Sequence, residues 1–364
     1  MRLYQSFYFS HTQTHNMSNN VIISTDIKQT LAQAVEEVPH DKLFVLTDET
    51  THSLCLPLVA DTPCLRDAVH IVIGATDTCK NLDTLASVWT AMGNGGGTRH
   101  SLMINLGGGM VTDLGGFAAS TFKRGIKYIN VPTTLLSMVD ASVGGKTGIN
   151  FNGLKNEVGV FNSPEKVIID TEFLKTLDHS NICSGYAEML KHGLISNERN
   201  YSELLQFDLN DVDYLHLGQM VGTSVAIKEE IVDEDPCEHG IRKALNLGHT
   251  AGHAFESWSL HRKPYLHGYA VAWGLICELY LSCMKTGFPV CTMRQAVRFI
   301  KDNYGILPIT CDDYEELYAY MTHDKKNSAG IINFTLLGGI GDIRINQTAD
   351  KKEIFEMLDF FREG

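Results

Sequence analysis

The sequence predicts an α/β domain built on a mostly parallel sheet, followed by a mostly α-helical domain. From Lys42 to about Asp178, short apolar runs typical of strands alternate with helical patterns, which favours a parallel sheet with helices on both faces. After Asp178 the apolar spacing is that of helices. We therefore expect a Rossmann-like first domain over residues 17–180 and a helical second domain over residues 181–364.

Five short segments of the first domain are candidate strands. Each is apolar, rich in β-branched or aromatic residues and bounded by turn residues. In chain order they read LFVLTD, HIVIGA, SLMINL, YINV and KVIID. Ligands of parallel sheets bind beyond the carboxyl ends of the strands, so the residues that follow these segments are the first candidates for a binding site.

Five segments of the second domain have the apolar spacing of helices. They are Ser184–Ser196, Tyr214–Asp233, His249–Ser257, His267–Lys285 and Met293–Tyr304. A later segment, IINFTLLGGIGDI, is expected to form a small hairpin. We place the domain boundary near residue 180, where the pattern changes.

Composition and charge narrow the class of protein. Of the 364 residues, 44% are hydrophobic and 20% are charged, as in soluble globular proteins. The formal net charge of −13 argues against nucleic acid or an anionic membrane as the main partner, although a local cluster of Lys and Arg can still bind an anionic substrate. No apolar run reaches the length of a membrane-spanning helix.

The cysteines and the amino-terminal segment indicate the cellular compartment of the protein. Nine cysteines occur without a CxxC pair, which indicates reduced thiols in the cytoplasm. The opening segment, MRLYQSFYFSHTQTHN, lacks the apolar core and small-residue cleavage site of a signal peptide. We interpret residues 1–16 as an over-called start or a disordered tail, because an ordinary pattern begins at Met17.

A glycine triplet, Gly107–Gly109, follows the third strand candidate and precedes a helical pattern. Glycine lets phosphate approach the free N–H groups of a helix amino terminus. The spacing is not GxGxxG and lacks the Walker lysine, so tight packing explains the triplet about as well as a ligand does. Hydroxyls, cations and glycines recur after the next strand, from Thr133 to Asn156. This recurrence favours a ligand rich in phosphate and hydroxyl groups.

Two histidines of the second domain, His249 and His253, have the i, i+4 spacing that places both on one helix face. That spacing can bind zinc, but Thr250 stands where a protease would carry its glutamate. Glu188 and His267 add a carboxylate and a third imidazole. One Glu and two His leave a tetrahedral zinc with an open position, as in catalytic sites. The residues alone do not decide whether His253 is a ligand.

Two further groups of residues are candidates for binding. Asp48 ends the first strand candidate, where it is either a helix cap or an acceptor for a ribose hydroxyl. Basic residues beside glycines or metal-type residues could together bind a phosphorylated, carboxylated sugar acid, although each alone could be a solvated surface charge. The basic residues are Arg124, Lys146, Lys155, Lys191, Lys228, Arg242 and one or both of Lys325 and Lys326.

Three segments resemble the signature sequences of the 3-dehydroquinate synthase family. They read GGGMVTDLGGF, VPTTLLSMVDASVGGKTGIN and LKNEVGVF, and the likeness extends from about Asp48 to the DKKN that begins at Asp324. It implies a dehydroquinate synthase-like fold and a cytoplasmic lyase of the shikimate pathway of aromatic amino acid biosynthesis. That enzyme would convert 3-deoxy-D-arabino-heptulosonate 7-phosphate to 3-dehydroquinate and phosphate. The implied steps are transient NAD oxidation, phosphate elimination, re-reduction and intramolecular aldol closure, with one zinc or cobalt per subunit.

The resemblance also assigns roles to residues. It makes Glu188, His249 and His267 the metal ligands, and it gives His253 to the substrate as an acid/base or phosphate-side group. The implied catalytic residues are His253, Glu238, Lys146 and Lys191. The implied substrate-binding residues are Asp140, Lys146, Asn156, Lys191, Lys228, Arg242, Asn246, His253 and Lys325. Arg124 matches a residue that reaches the site of a neighbouring subunit, which implies a homodimer.

The same resemblance implies an NAD site in the first domain. Its residues are Asp48, Asp77, Lys80, Gly108, Gly109, Met110, Asp113, Thr133, Thr134, Asp140, Lys146, Lys155, Phe173 and Thr176. Asp77 departs from the family, which usually carries Glu-x-x-Lys at this point. The carboxylate is therefore one methylene shorter than in the family.

The same residues are also compatible with other functions. Another sugar-phosphate cyclase, of the 2-deoxy-scyllo-inosose or 2-epi-5-epi-valiolone synthase type, would share the zinc and NAD residues, but Arg242 and Asn246 favour a substrate with a carboxylate. A metal-dependent polyol or alcohol dehydrogenase would not need the cluster of residues 146–156. A non-catalytic binding protein is disfavoured, because metal and cofactor residues are both present.

Overall fold

The computed structural model describes residues 20–260, 262–322 and 332–364, which group into two compact units. The sheet unit comprises residues 20–178 and Asp213–Glu229, and the helical unit comprises His179–Val212 and Glu230–Gly364. The predictions for residues 1–16 and for Lys325 and Lys326 lie outside the described residues. The domain boundary near residue 180 stays a prediction.

The strands of the sheet unit form one parallel sheet and one hairpin. They are β1 (Val21–Ile23), β2 (Leu43–Asp48), β3 (Val69–Ile73), β4 (Leu102–Gly107), β5 (Lys127–Pro132), β6 (Lys146–Phe151), β7 (Leu154–Phe161) and β8 (Lys166–Ile169). Six of them pair in the order β1-β8-β5-β4-β2-β3, and every pair is parallel. β6 and β7 pair with each other, antiparallel. The five predicted strands are confirmed; β1 and the β6–β7 hairpin were not predicted.

The direction in which successive strands are added to this sheet reverses at β2. From β2 it passes to β3 on one side and then to β4 on the other. Two neighbouring crossovers that leave in opposite directions open a crevice at the carboxyl ends of the strands, where α/β proteins bind ligands. Asp48 ends β2 and Gly107 ends β4, so both lie at that edge.

Helices flank the strands of the sheet unit, as the alternating pattern predicts. They are α1 (Ile27–Glu37), α2 (Glu49–Leu54), α3 (Leu82–Asn94) and α4 (Gly109–Thr121). Asp26, Asp48 and Asn81 cap the first three through hydrogen bonds to backbone amides. In α4, a Cβ on Gly115 would lie 2.1 Å from the Asn105 side chain, and one on Gly116 would lie 2.5 Å from Thr147. The glycines of α4 therefore permit close packing on the sheet and on β6.

Helices make up most of the remaining chain. They are α5 (His179–Ser196), α6 (Glu198–Gln206), α7 (Tyr214–Glu234), α8 (His249–Leu260), α9 (His267–Lys285), α10 (Val290–Tyr304), α11 (Tyr314–Thr322) and α12 (Lys351–Glu363). The hairpin is β9 (Asn333–Gly339) with β10 (Asp342–Thr348), paired antiparallel. The five predicted helices and this hairpin are confirmed. The segment Asp213–Glu229, which includes most of α7, groups with the sheet unit.

Glycines bring α9 into backbone contact with α5 and α8 in the helical unit. A Cβ on Gly268 would lie 1.8 Å from the carbonyl oxygen of Ser184 in α5, and one on Gly274 would lie 1.9 Å from that of Gly248, just before α8. Neither position has room for a larger side chain. These two glycine contacts fix how α5, α8 and α9 cross. Among the described residues, no helix is both long and apolar enough to cross a lipid bilayer.

Candidate active site

Three predicted metal ligands meet in the helical unit. Glu188 lies in α5, His249 begins α8 and His267 begins α9. Oε1 of Glu188 lies 3.4 Å from Nε2 of His249 and 3.4 Å from Nε2 of His267. Ligand atoms of a tetrahedral zinc, bound at 2.0–2.2 Å, are about 3.4 Å apart. The spacing of these donors therefore fits a divalent metal.

The other ring nitrogen of each histidine is also engaged. Nδ1 of His249 lies 3.1 Å from the carbonyl oxygen of Leu247, and Nδ1 of His267 lies 3.3 Å from Oε2 of Glu256. Hydrogen bonds of this kind fix the ring and its tautomer, so that Nε2 faces the metal. Both histidines are thus oriented toward the Glu188 carboxylate.

The electrostatic balance of this cluster keeps Glu188 ionised. Burial raises the pKa of Glu188, but Lys191 and His249 outweigh it and hold that pKa well below its usual range. Burial also lowers the pKa of His267, whereas Glu256 and Glu188 raise it to about 10. Lys191, one turn after Glu188, forms an ion pair with its Oε2 and is 1% exposed. The Glu188 carboxylate is thus in the ionised form that a metal ligand requires.

His253 lies next to the three ligand candidates. Its ring centroid is 5.4 Å from that of His249 and 6.0 Å from that of His267. Among the described residues, the metal-type group formed by Glu188, His249 and His267 does not include it. Its ring is half-buried, so it is more accessible than the ligand carboxylate.

The segment before α8 carries the other candidates of this unit. Asp235 accepts hydrogen bonds from the backbone amides of His239, Gly240 and Arg242, at 2.9, 2.6 and 3.1 Å. These bonds fold the segment into a tight loop in which Glu238 has a φ of +61°. Asn246 donates a hydrogen bond to Oε1 of Glu238 at 2.8 Å, and the Arg242 side chain is 2% exposed. Glu238, Arg242 and Asn246 are thus held together by one loop.

The predicted NAD residues of the sheet unit begin at the carboxyl edge of the sheet. Asp48 is 9% exposed and caps α2, accepting from the amide of Thr51 at 2.7 Å. Gly108 precedes α4 and lies against Thr134, whose methyl would be 3.1 Å from a Cβ on that glycine. Thr133, which follows β5, is buried. The sequence left two interpretations of Asp48, and the structure shows the cap.

Lys80 is the centre of a charged cluster in the same unit. It is 4% exposed, and its Nζ contacts Oδ2 of Asp113 and Oδ1 of Asn156. Burial raises the pKa of Asp113, and Lys80 opposes that shift. Asn150 connects the cluster to the hairpin, because its backbone N–H donates a hydrogen bond to the carbonyl oxygen of Lys80 at 2.8 Å. The β6–β7 hairpin and the Asp77–Lys80 region are therefore joined.

A second ion pair of the sheet unit joins Lys228 of α7 to Asp140. Nζ of Lys228 lies 2.5 Å from Oδ1 and from the carbonyl oxygen of Asp140. Asp140 lies in a single wide helical turn, Ser137–Ala141, and Lys228 is 6% exposed. The ion pair therefore holds the Lys228 ammonium group beside this turn.

The remaining predicted residues are more dispersed. Lys146 begins β6 and is exposed, and Lys155 pairs with Asp77 at 3.5 Å on the surface. Met110 is half-buried in α4, Phe173 is fully buried, and Thr176 bonds to the carbonyl oxygen of Phe173. Arg124 is exposed and has a φ of +73°.

Sequence reasoning missed three acidic residues of the helical unit: Glu256, Asp235 and Glu278. Glu256 is three residues after His253, so it faces the same side of α8. Glu278 interrupts the apolar run of α9, and an acid in such a run indicates a buried, paired carboxylate. Asp235 carries no comparable signal, because its bonds depend on the shape of a loop.

Comparison with known proteins gives matches over most of the chain. The family model described as 3-dehydroquinate synthase N-terminal matches residues 70–184, and that described as 3-dehydroquinate synthase C-terminal matches residues 185–327. A 3-dehydroquinate synthase of Parabacteroides distasonis is 56% identical over 345 residues, which cover 94% of this chain and 98% of that protein.

Solved structures agree with this fold. A 2-epi-5-epi-valiolone synthase from Streptomyces hygroscopicus subsp. jinggangensis, with NAD+ and Zn2+ bound, matches with a TM-score of 0.80 and 26% identity, over 98% of this chain and 99% of that one. A 2-deoxy-scyllo-inosose synthase complexed with carbaglucose-6-phosphate, NAD+ and Co2+ gives a TM-score of 0.83 at 22% identity, over 100% of both chains. The predicted fold class is confirmed.

Proposed function

The chain belongs to the 3-dehydroquinate synthase family, and we propose that the residue clusters described above carry that family's reaction. The enzyme is a lyase that converts 3-deoxy-D-arabino-heptulosonate 7-phosphate to 3-dehydroquinate and phosphate. It therefore serves aromatic amino acid biosynthesis. The other sugar-phosphate cyclases are more distant, at 22 and 26% identity.

The cofactors are NAD and a divalent metal, zinc or cobalt. When bound, NAD supplies a reversible hydride acceptor and the metal supplies a Lewis acid for substrate hydroxyls. Glu188, His249 and His267 would hold the metal. The observation that carries this assignment is the pair of 3.4 Å distances from Oε1 of Glu188 to the two Nε2 atoms.

We assign NAD to the carboxyl edge of the sheet. Gly108 and Gly109 open the amino terminus of α4 to a pyrophosphate, because neither carries a side chain there. The Asp48 carboxylate would accept the ribose hydroxyls while its other contacts cap α2. Lys80 keeps Asp113 and Asn156 in place beside this edge.

The remaining polar residues suit a phosphorylated sugar acid. Arg242 and Lys191 are buried cations of the helical unit, and such donors bind carboxylate or phosphate strongly in a dry site. His253 would move a proton, because an imidazole titrates near neutral pH. Lys146, Lys228, Asp140, Asn156, Glu238 and Asn246 complete the proposed set of substrate residues.

We propose that the enzyme is a homodimer formed through the β6–β7 hairpin. Every residue of β7 is exposed, and Leu154, Val158 and Phe161 are 54, 40 and 60% exposed. Exposed apolar side chains of this kind suit an interface, and a second copy would cover them by the same surface on both sides. The family resemblance of Arg124 points to the same assembly.

Analytical ultracentrifugation tests the dimer. The wild-type chain should sediment as a dimer, and Phe161→Glu should sediment as a monomer. The control is Leu215→Glu, which changes another exposed leucine, 79% exposed in α7, and should remain a dimer. A wild-type monomer, or a dimer that survives Phe161→Glu, would contradict the proposal.

We also propose a cytoplasmic location. All nine cysteines are free thiols in the structure, and proteins of oxidising compartments usually pair theirs. Fractionation of cells that make the tagged chain should place it with cytoplasmic markers. Recovery outside the cytoplasm would refute this location.

The reaction itself is tested by phosphate release from 3-deoxy-D-arabino-heptulosonate 7-phosphate. NAD is supplied in a smaller amount than the product that the enzyme forms during the assay. Many phosphates should be released per NAD, with no net absorbance from NADH. One NADH per product would indicate an alcohol dehydrogenase. Turnover only of a phosphorylated sugar without the carboxylate would indicate another cyclase.

A further inference from the structure

α8, the helix that carries His249 and His253, begins without a capping side chain of its own. Its first intrahelical bond runs from the amide of Gly252 to the carbonyl oxygen of Gly248, so Gly248 occupies the N-cap position. Gly248 has a φ of +80°, and a Cβ there would lie 2.8 Å from Leu275. A residue with a capping side chain therefore does not fit at this position.

A carboxylate from the neighbouring helix takes the place of the missing cap. Glu278 of α9 accepts a hydrogen bond from the amide of Gly248 at 2.7 Å through Oε2. Its Oε1 accepts from the amides of Thr250 and Ala251, at 2.9 and 3.3 Å. Free amides at a helix amino terminus require such acceptors when buried, and the helix dipole favours a negative charge there. Glu278 itself is 0% exposed.

We infer that Glu278 is a positioning residue for the metal site. It bonds the residues on both sides of His249 in sequence, which is the first residue of α8. It also lies three helical turns after His267 in α9. One side chain therefore ties the helix that carries the second ligand to the helix that carries the third. This inference rests on the proposed metal assignment of Glu188, His249 and His267.

Loss of the Glu278 carboxylate should misplace His249. Gln at this position has one acceptor oxygen and one NH2 group, so at least one of the amides would face a donor in a dry site. The first turn of α8 would shift, and metal sites tolerate ligand displacements of only about 0.2 Å. Residues that orient ligands typically change metal affinity by about 10–100-fold.

The test compares Glu278→Gln with Asp350→Asn by zinc titration against a competing chelator. Asp350 also caps a helix with a carboxylate, accepting from the amide of Glu353 at 2.9 Å, but its helix α12 carries no ligand. Wild type and Asp350→Asn should bind zinc equally, whereas Glu278→Gln should bind it about 10–100-fold more weakly. The visible spectrum of bound cobalt should also change only in Glu278→Gln.

Two other outcomes would overturn the inference, and a second variant covers the case in which the first does not fold. If Glu278→Gln lowers the melting temperature but keeps wild-type zinc affinity and cobalt spectrum, the residue is merely structural. If Glu278→Gln does not fold, Glu278→Asp replaces it. Its carboxylate is one methylene too short for these bonds, so wild-type zinc affinity there would overturn the inference. Wild-type protein that binds no metal would refute the proposed function, and this inference with it.

Discussion

The candidate residues of the helical unit and those of the sheet unit differ in how deeply they are buried. In the helical unit, Glu188 and Lys191 are 0 and 1% exposed, and glycine contacts between helices fix their surroundings. In the sheet unit the charged candidates include both Lys80, 4% exposed, and the Lys155 side chain, 46% exposed. The proposed metal donors are thus held by contacts within the helical unit, whereas part of the sheet cluster faces water. A metal needs fixed donor geometry, and a large cofactor can order side chains as it binds.

The largest effect expected from this comparison is that of His249→Ala. Loss of one of three ligands should remove the metal and lower turnover by about 10⁴-fold or more, because the Lewis acid contributes several kcal/mol. Metal analysis after gel filtration, together with a phosphate-release assay, measures both quantities. A variant that keeps one zinc per chain would exclude His249 as a ligand.

His253→Ala should separate the substrate group from the metal donors on the same helix. Turnover should fall by about 10²–10⁴-fold, the range for a lost acid or base, while the zinc content stays at that of the wild type. Zinc content and rate are compared at equal folded concentration. If zinc is lost here and retained in His249→Ala, the two roles are reversed. If both variants lose zinc, a four-ligand structural site is the better account.

In the sheet unit, Lys80→Met should mainly lower the stability of the protein and its affinity for NAD. Removing one partner of a buried ion pair costs about 3–5 kcal/mol, because Asp113 is left without its cation. Urea unfolding should show this loss, and isothermal titration should show weaker NAD binding with unchanged zinc. The matched control is Lys155→Met, a surface pair with Asp77 expected to contribute at most about 1 kcal/mol. Equal stability of the two variants would contradict the contrast drawn here.

The smallest effect should come from Asp48→Asn, which tests its two roles separately. Asn is as good a helix cap as Asp, so the melting temperature should stay within a few degrees of wild type. NAD affinity should fall by about 10-fold, because a hydrogen bond from a ribose hydroxyl to a charged acceptor contributes roughly 1–1.5 kcal/mol more than one to the neutral amide oxygen of Asn. Unchanged NAD affinity would leave Asp48 as a cap alone.

Much of this architecture follows from local pattern. Alternating apolar runs predict the five strands, and the i, i+4 spacing predicts that His249 and His253 share a helix face, because both signals depend on residues close in sequence. The choice of Glu188, His249 and His267 as the ligands rests on the family resemblance, because these residues are far apart in sequence. The residues that sequence reasoning missed depend on distant contacts. Glu278 meets the amino terminus of α8 only because Gly274 lets the helices approach, and no periodicity specifies that crossing. Likewise β1 has three residues, too few for an alternation to show.

The position of β1 at the edge of the parallel sheet has a consequence for synthesis on the ribosome. Val21 lies opposite Val167, so β1 must wait for a partner made roughly 150 residues later. The sheet unit also includes the segment Asp213–Glu229, which is made later still. Pairings of such high contact order form slowly and leave apolar strands exposed in the meantime. The sheet unit can therefore complete its fold only after Glu229 has been made.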